Sequence, residues 1–381
     1  MNIAILATGF FKENKEATKI TTSSLAKELI KKQHYVAIIT KNKGGLPETS
    51  IEEGIPVFRS AFGEIVSYPA SFKRAQEHNH QKFDIIHGFS SAPILLIRSL
   101  LSKYFFSPKA KIVHTLKSYS KKEMGRQFFR LLNQADAITV PTTIFANSLI
   151  EAGVKSEKIK VIHSHIDLEK FRPFSEAEKA KLKAKLGLPN LKGKKIIFYY
   201  GATWKEKGLD YLLHAFAALI RKREDLLLLI APRYSLELQH QETIRRLNIT
   251  GDCKIIETPI EVEYYLNAVD VCVLPYENIV GTEGNPSCLL EAMACKTPVV
   301  TSDLPELREI VEHEKEVLMA KPKDIKSLQT EIEKILDTDD SHNHGLLQKL
   351  IENGFQKSRE FDLKKITQKY AEMYLELSKK I

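Results

Sequence analysis

The sequence predicts an α/β fold made of two doubly wound parallel sheets. Three observations support this prediction. The chain has 381 residues, which suits two domains of ordinary size. Short β-branched runs alternate with amphipathic stretches along both halves. A charged segment without a strand pattern, residues 167–192, separates the halves. Continuous apolar strands separated by helices are typical of parallel sheets that helices cover on both faces.

The first half contains a series of candidate strands with helical patterns between them. The strands are residues 3–8, 35–40, 84–88, 111–116, 136–141 and 159–164. The opening MNIAILATGFF has no basic region before its apolar run. We therefore expect it to form the first strand and not a signal peptide.

The second half repeats the pattern and then becomes helical after residue 322. Its candidate strands are residues 194–202, 225–232, 253–259, 270–276 and 297–302. With residues 167–192 as the linker, the predicted domains are 1–170 and 171–362. The final helix, 363–381, is expected to pack back on the first domain. Ligands of such folds bind at the carboxyl ends of the strands, so the site is expected there.

Cysteine usage and apolar runs indicate a cytoplasmic protein. None of the four cysteines forms a C-x-x-C pair, which favours reduced thiols without a disulfide framework or a zinc site. No apolar run reaches the roughly 18–20 residues of a membrane span.

Most of the net charge of +9 comes from one segment. Residues 98–130 contain nine Lys and Arg side chains and one acid, a local charge of +8. Phe105, Phe106, Phe128 and Phe129 are interleaved with them. This mixture fits an anionic membrane surface and also nucleic acid, although no nucleic-acid-binding motif accompanies it. An ordinary solvated basic face with buried aromatics is the remaining interpretation.

Two glutamates flank a predicted helix start in the segment TEGNPSCLLEAMACKTPVVTS. Glu283 precedes the helix, and Glu291 lies about one and a half turns inside it. Asn285 is the predicted N-cap, and Pro286 is the predicted first helical residue. Two acids at this spacing also occur on ordinary surface helices. The preceding strand, the loop glycines and the apolar helix together favour a functional site.

The first turn of this helix predicts an anion site. The backbone amides of residues 287–289 are expected to be unpaired and to point toward the strand ends, where the helix dipole adds positive charge. Carboxylates bind phosphate poorly but accept hydrogen bonds from sugar hydroxyls. The segment therefore predicts a nucleotide sugar, with its diphosphate at the helix end, hexose hydroxyls on Glu283 and ribose hydroxyls on Glu291.

The segment EGNPSCLLEAMACKTPVVTSDLPELREIV resembles the E-x7-E signature of the retaining GT-B glycosyltransferases of family 4, the group 1 transferases. FDIIHGFS, KVIHSHIDLEKFRP and YYGATWKEKGLDYLLHAFAAL resemble other parts of that family, in the same order and over essentially the whole chain. The resemblance implies the GT-B fold, in which two Rossmann-like domains face a central cleft. It further implies that the first domain binds the acceptor and the second binds the donor.

The resemblance implies roles for individual residues. Glu283 would contact the transferred sugar, and Lys207 would neutralise the diphosphate; these two are the candidate catalytic residues. The candidate donor-binding residues are Gly201, Lys205, Gly284, Asn285, Pro286, Ser287, Cys288 and Glu291. The candidate acceptor-side residues are Gly9, His87 and Lys117.

The chain departs from the family pattern at several positions. Ala202 stands where the family usually has an arginine, and Lys205 is the candidate substitute for that cation. Only Gly9 remains of the usual Gly-Gly loop, and Lys117 stands where the acceptor-side strand commonly ends in a histidine. The usual PNG triplet is replaced by HSH, residues 163–165, whose two histidines have no third metal ligand in the sequence.

The expected function is retaining transfer of a hexose from a UDP- or GDP-sugar, without a metal or another cofactor. The expected acceptor is a glycan or a lipid-linked glycan of cell-surface polysaccharide or glycolipid synthesis. The expected location is the cytoplasm, with peripheral contact to an anionic membrane and no nucleic-acid partner. The alternatives are a sugar-nucleotide epimerase or phosphorylase on the same architecture, and a catalytically weak subunit that only binds nucleotide sugars.

Overall fold

The computed structural model describes residues 1–7, 9–10, 17–42, 45–60, 67–118, 125–186, 193–256, 260–279, 284, 286–337 and 341–379. Contacts within the chain divide it into two compact units. The first unit comprises Met1–His165 and Leu363–Ile381, and Gly284 is grouped with it. The second comprises Ile166–Val280 and Asn285–Asp362.

Two sheets are formed by the described residues. The strands of the first sheet are β1 (Asn2–Ala7), β2 (Tyr35–Lys41), β3 (Thr49–Glu52), β4 (Ile55–Ser60), β5 (Ile85–Phe89), β6 (Lys111–Thr115), β7 (Ala137–Val140) and β8 (Ile159–Val161). Those of the second are β9 (Lys195–Gly201), β10 (Leu226–Pro232), β11 (Cys253–Ile255), β12 (Val271–Leu274), β13 (Val299–Ser302) and β14 (Leu318–Ala320). The strand orders are β3-β4-β2-β1-β5-β6-β7-β8 and β11-β10-β9-β12-β13-β14.

Helices connect the strands of both units. They are α1 (Ala17–Lys31), α2 (Ser67–Asn79), α3 (Pro93–Phe106), α4 (Arg126–Leu132), α5 (Thr143–Glu151), α6 (Glu176–Lys185), α7 (Leu209–Ile220), α8 (Leu238–Arg246), α9 (Val262–Leu266), α10 (Ser287–Ala294), α11 (Pro305–Arg308), α12 (Ile325–Leu336), α13 (Ser341–Ser358) and α14 (Leu363–Lys379). With their mainly parallel sheets, the two units confirm the predicted α/β class.

Three strands were not predicted from the sequence. β3 pairs antiparallel with β4 at the edge of the first sheet, across a turn in which Glu53 and Gly54 both have positive φ. The strand pattern is weak here because β3 is short, polar and half exposed. β14 has only three residues, too few to show a period.

Side chains of β1 alternate between the two faces of the first sheet. Ile3 and Ile5 pack with residues of α1 and α14, whereas Ala4 and Leu6 pack with residues of α2. This alternation follows from the two-residue period of a strand. The first sheet is therefore buried on both faces, and α14 supplies part of its cover.

The second sheet is also buried on both faces, and its alternation decides which side chains meet α10. In β9, Ile197 and Tyr199 belong to one core cluster, which contains residues of α7 and α12. Phe198 and Tyr200 belong to the other cluster, which contains Leu289 of α10. Tyr200 therefore lies on the α10 side of the sheet.

Two sequence interpretations change in the structure. The predicted linker, residues 167–192, includes α6, and Phe171 and Leu182 join the core of the second unit. Phe128 and Phe129, which the membrane interpretation places at the interface, are buried between α4 and its neighbours, as the interpretation with buried aromatics expects. They face inward because they lie on the apolar side of α4.

Candidate functional site

The end of β9 lies against the first turn of α10. β9 is a central strand between β10 and β12, and α10 is the helix that follows β12. Gly201 ends β9 with a φ of +126°. A Cβ built on it would lie 4.0 Å from the Sγ atom of Cys288. Glycine fits this position because an L side chain rarely adopts such a φ.

The predicted cap of α10 is corrected by one residue. Pro286 is the N-cap, with a φ of −61° and an extended ψ of 132°, and the helix begins at Ser287. The amide of Leu289, which was expected to be unpaired, donates to the carbonyl of Pro286 at 3.1 Å. Only the amides of Ser287 and Cys288 precede the first helical hydrogen bond, so the helix itself gives them no acceptor.

Some predicted site residues fall outside this arrangement. Glu283 and Asn285 lie outside the described residues. Gly284 is grouped with the first unit, where a Cβ built on it would lie 2.6 Å from Cγ2 of Thr142. Apart from Gly284, the described residues of the predicted donor site belong to the second unit and extend from Gly201 to Glu291.

Glu291 is held by the tyrosine at the end of β9. The hydroxyl of Tyr200 lies 2.8 Å from Oε2 of Glu291 and 3.0 Å from the carbonyl oxygen of Cys288. Burial raises the pKa of the Glu291 carboxyl, and hydrogen bonds from Tyr200 and Ser287 together with the charges of Lys170 and Arg233 oppose this rise. Glu291 is therefore a fixed hydrogen-bond acceptor beside the first turn of α10.

The position of Lys207 depends on Gly208, because any residue with a side chain at position 208 would force the backbone to shift. Residues Lys205–Lys207 form a 3₁₀ turn that ends at Gly208 in the left-handed conformation, with a φ of 71°. A Cβ on Gly208 would lie 1.8 Å from the carbonyl oxygen of Pro275, just after β12. The turn can therefore approach the end of β12 closely.

The ammonium of Lys207 lies among aromatic rings and close to α10. Its Nζ is 5.5 Å from the ring centre of Tyr276 and 5.9 Å from that of Trp204. Burial and the charge of Glu291 raise the pKa of Cys288 to about 11, while Arg233 and Lys207 act in the opposite direction. A cation in this position suits an anionic ligand at the first turn of α10.

Lys205 is placed less clearly than Lys207. Its side chain is exposed, and its carbonyl accepts the hydrogen bond from the Gly208 amide at 3.0 Å. Its role as the substitute cation stays a prediction.

Sequence reasoning missed two residues of this arrangement, Tyr200 and Arg233. Arg233 directly follows β10, and its amide donates to the Gly201 carbonyl at 2.7 Å. Each has a signal in the sequence: a polar or basic residue at the carboxyl end of a buried parallel strand. In such sheets that position faces the ligand.

His87 lies inside the first unit. Its ring is fully buried in β5, with Nδ1 2.6 Å from the hydroxyl of Tyr374 and Nε2 2.6 Å from Oγ1 of Thr115. Burial, followed by the charge of His114, lowers its pKa well below the ordinary histidine value. Both ring nitrogens are thus engaged within the protein, and His87 ties α14 to the sheet.

Lys117 lies at a small cavity of the first unit. Its Nζ is 2.6 Å from Oγ1 of Thr21, and the cavity is also lined by the HSH residues His163, Ser164 and His165. Burial, together with the charge of Lys117, lowers the pKa of His165 to about 3. The neutral imidazole and the ammonium are both polar groups that an acceptor hydroxyl can contact.

Gly9 follows β1 in the same unit. The amide of the next residue, Phe10, donates to Oγ1 of Thr40 at 3.1 Å, which fixes the chain beside β2. An acceptor role for Gly9 stays a prediction.

The described part of the chain contains neither a cluster of metal ligands nor a membrane-spanning helix. No group of three His, Cys, Asp or Glu side chains there could hold a metal ion. None of its helices combines the length and hydrophobicity that crossing a membrane requires.

Comparison with protein families gives two matches that together cover most of the chain. A family described as "Glycosyl transferases group 1" matches residues 179–357. A family described as "Glycosyltransferase Family 4" matches residues 19–170. The first match contains every described donor-site residue from Gly201 to Glu291.

Individual relatives agree with these matches. The chain is 28% identical to the putative glycosyltransferase YtcC of Bacillus subtilis over 63% of this chain and 60% of the relative. It is 26% identical to the alpha-galactosylglucosyldiacylglycerol synthase of Streptococcus pneumoniae over 51% of each. The chain thus spans little more than half the length of these curated relatives.

A solved structure shares the fold. The Anabaena protein HepE in complex with UDP-glucose superposes with a TM-score of 0.78 at 18% identity, covering 98% of this chain and 99% of that chain. At this identity the likeness shows the fold alone.

Proposed function

Because this chain belongs to the glycosyltransferases of group 1 and family 4, we propose that it is a retaining hexosyltransferase that uses a UDP- or GDP-sugar. The single observation that supports the donor assignment is that Glu291, Lys207 and the first turn of α10 lie together at one end of the second sheet. Phosphate suits the helix start and the cation, and ribose hydroxyls suit the carboxylate.

The chemistry assigned to this site is departure of a nucleoside diphosphate. The bond between the anomeric carbon and the diphosphate oxygen breaks, and the acceptor oxygen bonds to the same face of that carbon. The acceptor proton passes to the departing phosphate oxygen. Lys207 and the amides of Ser287 and Cys288 stabilise the negative charge that develops on the diphosphate. Glu283 keeps its predicted contact with the transferred sugar.

Metal independence is part of this proposal. The support for it is that fixed positive groups already surround the first turn of α10. Activity is therefore expected to survive EDTA. Complete loss with EDTA that Mg²⁺ or Mn²⁺ restores would contradict this part of the proposal.

The relatives support the choice of donor and acceptor. HepE has been solved with UDP-glucose, and the pneumococcal relative is named as the synthase of a glycosylated diacylglycerol. We therefore assign to this chain a UDP-sugar as the first donor to test and a glycan or lipid-linked acceptor. Its place of action would be the cytoplasmic face of an anionic membrane.

The test compares wild-type protein with Lys207→Ala and Glu283→Gln. The transfer rate of each variant at saturating donor is expected to fall about 10²–10³-fold, which is the typical effect of removing one fixed electrostatic contact. Arg245→Gln, on the exposed end of α8, is the control and should keep the wild-type rate. A folded Lys207→Ala or Glu283→Gln variant that retains more than about half the rate would contradict the site.

Donor screening separates this proposal from a weak binding subunit. Wild-type protein is expected to be stabilised thermally by one of UDP-glucose, GDP-mannose or ADP-glucose and also to hydrolyse or transfer that sugar. Stabilisation without any turnover would favour the binding subunit.

A further inference from the structure

A second cation besides Lys207 lies at the end of the second sheet. The amide of Arg233 bonds to the Gly201 carbonyl at 2.7 Å, one residue beyond the Gly201–Pro232 pair of the β9–β10 ladder. This bond fixes Arg233 beside the end of β9. Gly201 in turn lies against Cys288 in the first turn of α10. Arg233, the strand end and the helix start are therefore contiguous.

The Arg233 side chain acts on the same groups as the donor site. Burial is the main cause that raises the pKa of Glu291 and of Cys288, and the guanidinium of Arg233 opposes the rise at both. Lys207 also opposes it at Cys288. Arg233 is only half-buried, so a ligand can reach it. Positive charge from two different loops thus converges on the first turn of α10.

A nucleoside diphosphate needs more positive charge than one lysine supplies. Ala202, which follows Gly201, contributes none. A guanidinium offers two parallel N–H donors that match two phosphate oxygens, whereas an ammonium acts as a point charge. From this placement we infer that Arg233 is the second diphosphate-binding cation of the site, in addition to Lys207. This inference rests on the proposed function.

A purely structural role for Arg233 is the competing interpretation. Glu237 lies near Arg233, as their effects on Tyr199 indicate. Burial raises the pKa of Tyr199, the charge of Arg233 lowers it and the charge of Glu237 raises it. Glu237 already has other partners: Oγ1 of Thr203 at 3.3 Å and Nε2 of Gln239 at 2.7 Å. If Arg233 served only to balance Glu237, its loss would change stability and would not discriminate between ligands with and without phosphate.

The experiment measures the affinity of full-length protein for UDP and for uridine. If wild-type protein prefers GDP or ADP, that nucleotide and its nucleoside replace the pair. Arg233→Gln is expected to weaken UDP binding about ten- to a hundredfold, the range for losing one charged hydrogen bond, and to change uridine binding less than about twofold. Arg233→Lys should recover part of the loss. Arg221→Gln, at the exposed end of α7, should bind both ligands as wild type does.

Three results would overturn the inference. If Arg233→Gln binds UDP as tightly as wild type does, the inference about Arg233 fails and the proposed function is unaffected. Equal weakening of UDP and uridine binding would indicate a structural role. Wild-type protein that binds no nucleoside diphosphate would overturn the inference together with the proposed function. Should Arg233→Gln fail to fold, Arg233→Met takes its place, because it keeps much of the side-chain stem but removes the charge, and UDP binding equal to wild type would then reject the inference in the same way.

Discussion

Single polar groups at the end of β9 determine the properties of the candidate site. Tyr200 is buried, and its hydroxyl contacts the carboxylate of Glu291 at 2.8 Å. One hydroxyl hydrogen serves both this carboxylate and the Cys288 carbonyl, so the tyrosine couples Glu291 to the first turn of α10. A change of a single atom here is expected to alter ligand binding while the fold is kept.

Replacing Tyr200 by phenylalanine is expected to change the pH dependence of donor binding. Burial raises the pKa of Glu291, and the Tyr200 hydrogen bond lowers it. Removing that bond should raise the pKa further. Because the carboxylate is the better acceptor for ribose hydroxyls, binding should weaken as pH falls through this pKa, and in Tyr200→Phe the weakening should begin at a higher pH.

Calorimetric titration of UDP between pH 5 and pH 8 measures this effect. Tyr104→Phe removes an exposed hydroxyl of the first unit and should leave the pH profile unchanged. Identical profiles for Tyr200→Phe and wild type would show that Glu291 does not control binding.

Elements are positioned by a few close contacts, one between backbone segments and one between buried side chains. The turn that carries Lys207 reaches the end of β12 only because Gly208 has no side chain. In the first unit, α14 is joined to β5 by the buried bond between Tyr374 and His87. The two contacts act on different elements, so their loss should have different consequences.

Gly208→Ala is expected to destabilise the protein and to reduce turnover. The new Cβ would overlap the Pro275 carbonyl, and the positive φ adds strain of about 1–3 kcal/mol. Thermal unfolding should show a lower Tm, and donor affinity should fall with it because Lys207 shifts. The matched control is Gly251→Ala, where a Cβ meets nothing within 4 Å. Equal Tm values for the two variants would disprove the close approach.

Tyr374→Phe is expected to loosen α14 with little effect on donor binding. Nδ1 of His87 would lose its partner inside the protein, which costs about 1–3 kcal/mol. Urea unfolding measures this loss, and Tyr104→Phe, with the same chemical change on the surface, is the control. A variant as stable as wild type would show that the Tyr374 hydroxyl contributes nothing to holding α14.

At the scale of the whole molecule, exposed basic and exposed aromatic side chains both occur in the basic segment of the first unit, residues 98–130. Tyr104 and Phe105 at the end of α3 are 77% and 63% exposed. Lys109, Arg126 and Arg130 are exposed as well. Arg98, by contrast, is buried with its guanidinium 4.3 Å from the ring centre of Tyr68, so only part of the basic segment can face a ligand. Lys121 and Lys122 lie outside the described residues.

The exposed residues of this basic segment are expected to bind anionic vesicles at low salt. Basic side chains would meet lipid phosphates, and Tyr104 and Phe105 would enter the interface. Binding should weaken steeply as salt rises, because such attraction is screened within about 8–10 Å. Arg126→Gln with Arg130→Gln should reduce co-sedimentation, whereas Arg245→Gln with Arg246→Gln on α8 should not.

Nucleotide binding in the second unit should be the same in both double variants. Wild-type protein that fails to co-sediment with phosphatidylserine vesicles at low salt would reject the membrane role. A soluble acceptor would then be the better choice.

The sequence by itself determined the α/β class and most of the central strands. Apolar runs such as those of β9 and β10 are continuous because both sheet faces are buried, and this pattern is local. The sequence also located the start of α10 to within one residue, since cap preferences depend on neighbouring residues alone. The edge strand β3 escaped because a half-exposed edge carries a weaker pattern.

Only the tertiary structure decided which distant residues meet. The bond from Tyr200 to Glu291 joins residues 91 positions apart, and Arg233 reaches Gly201 across the β9–β10 ladder. Strand order and register set these contacts, and no local pattern encodes them. The same holds for burial: Phe105 and Phe128 look alike in the sequence, yet one is exposed and the other is in the core. Each ring's place depends on which side of its helix faces a neighbouring element, a relation that exists only once the sheet has formed.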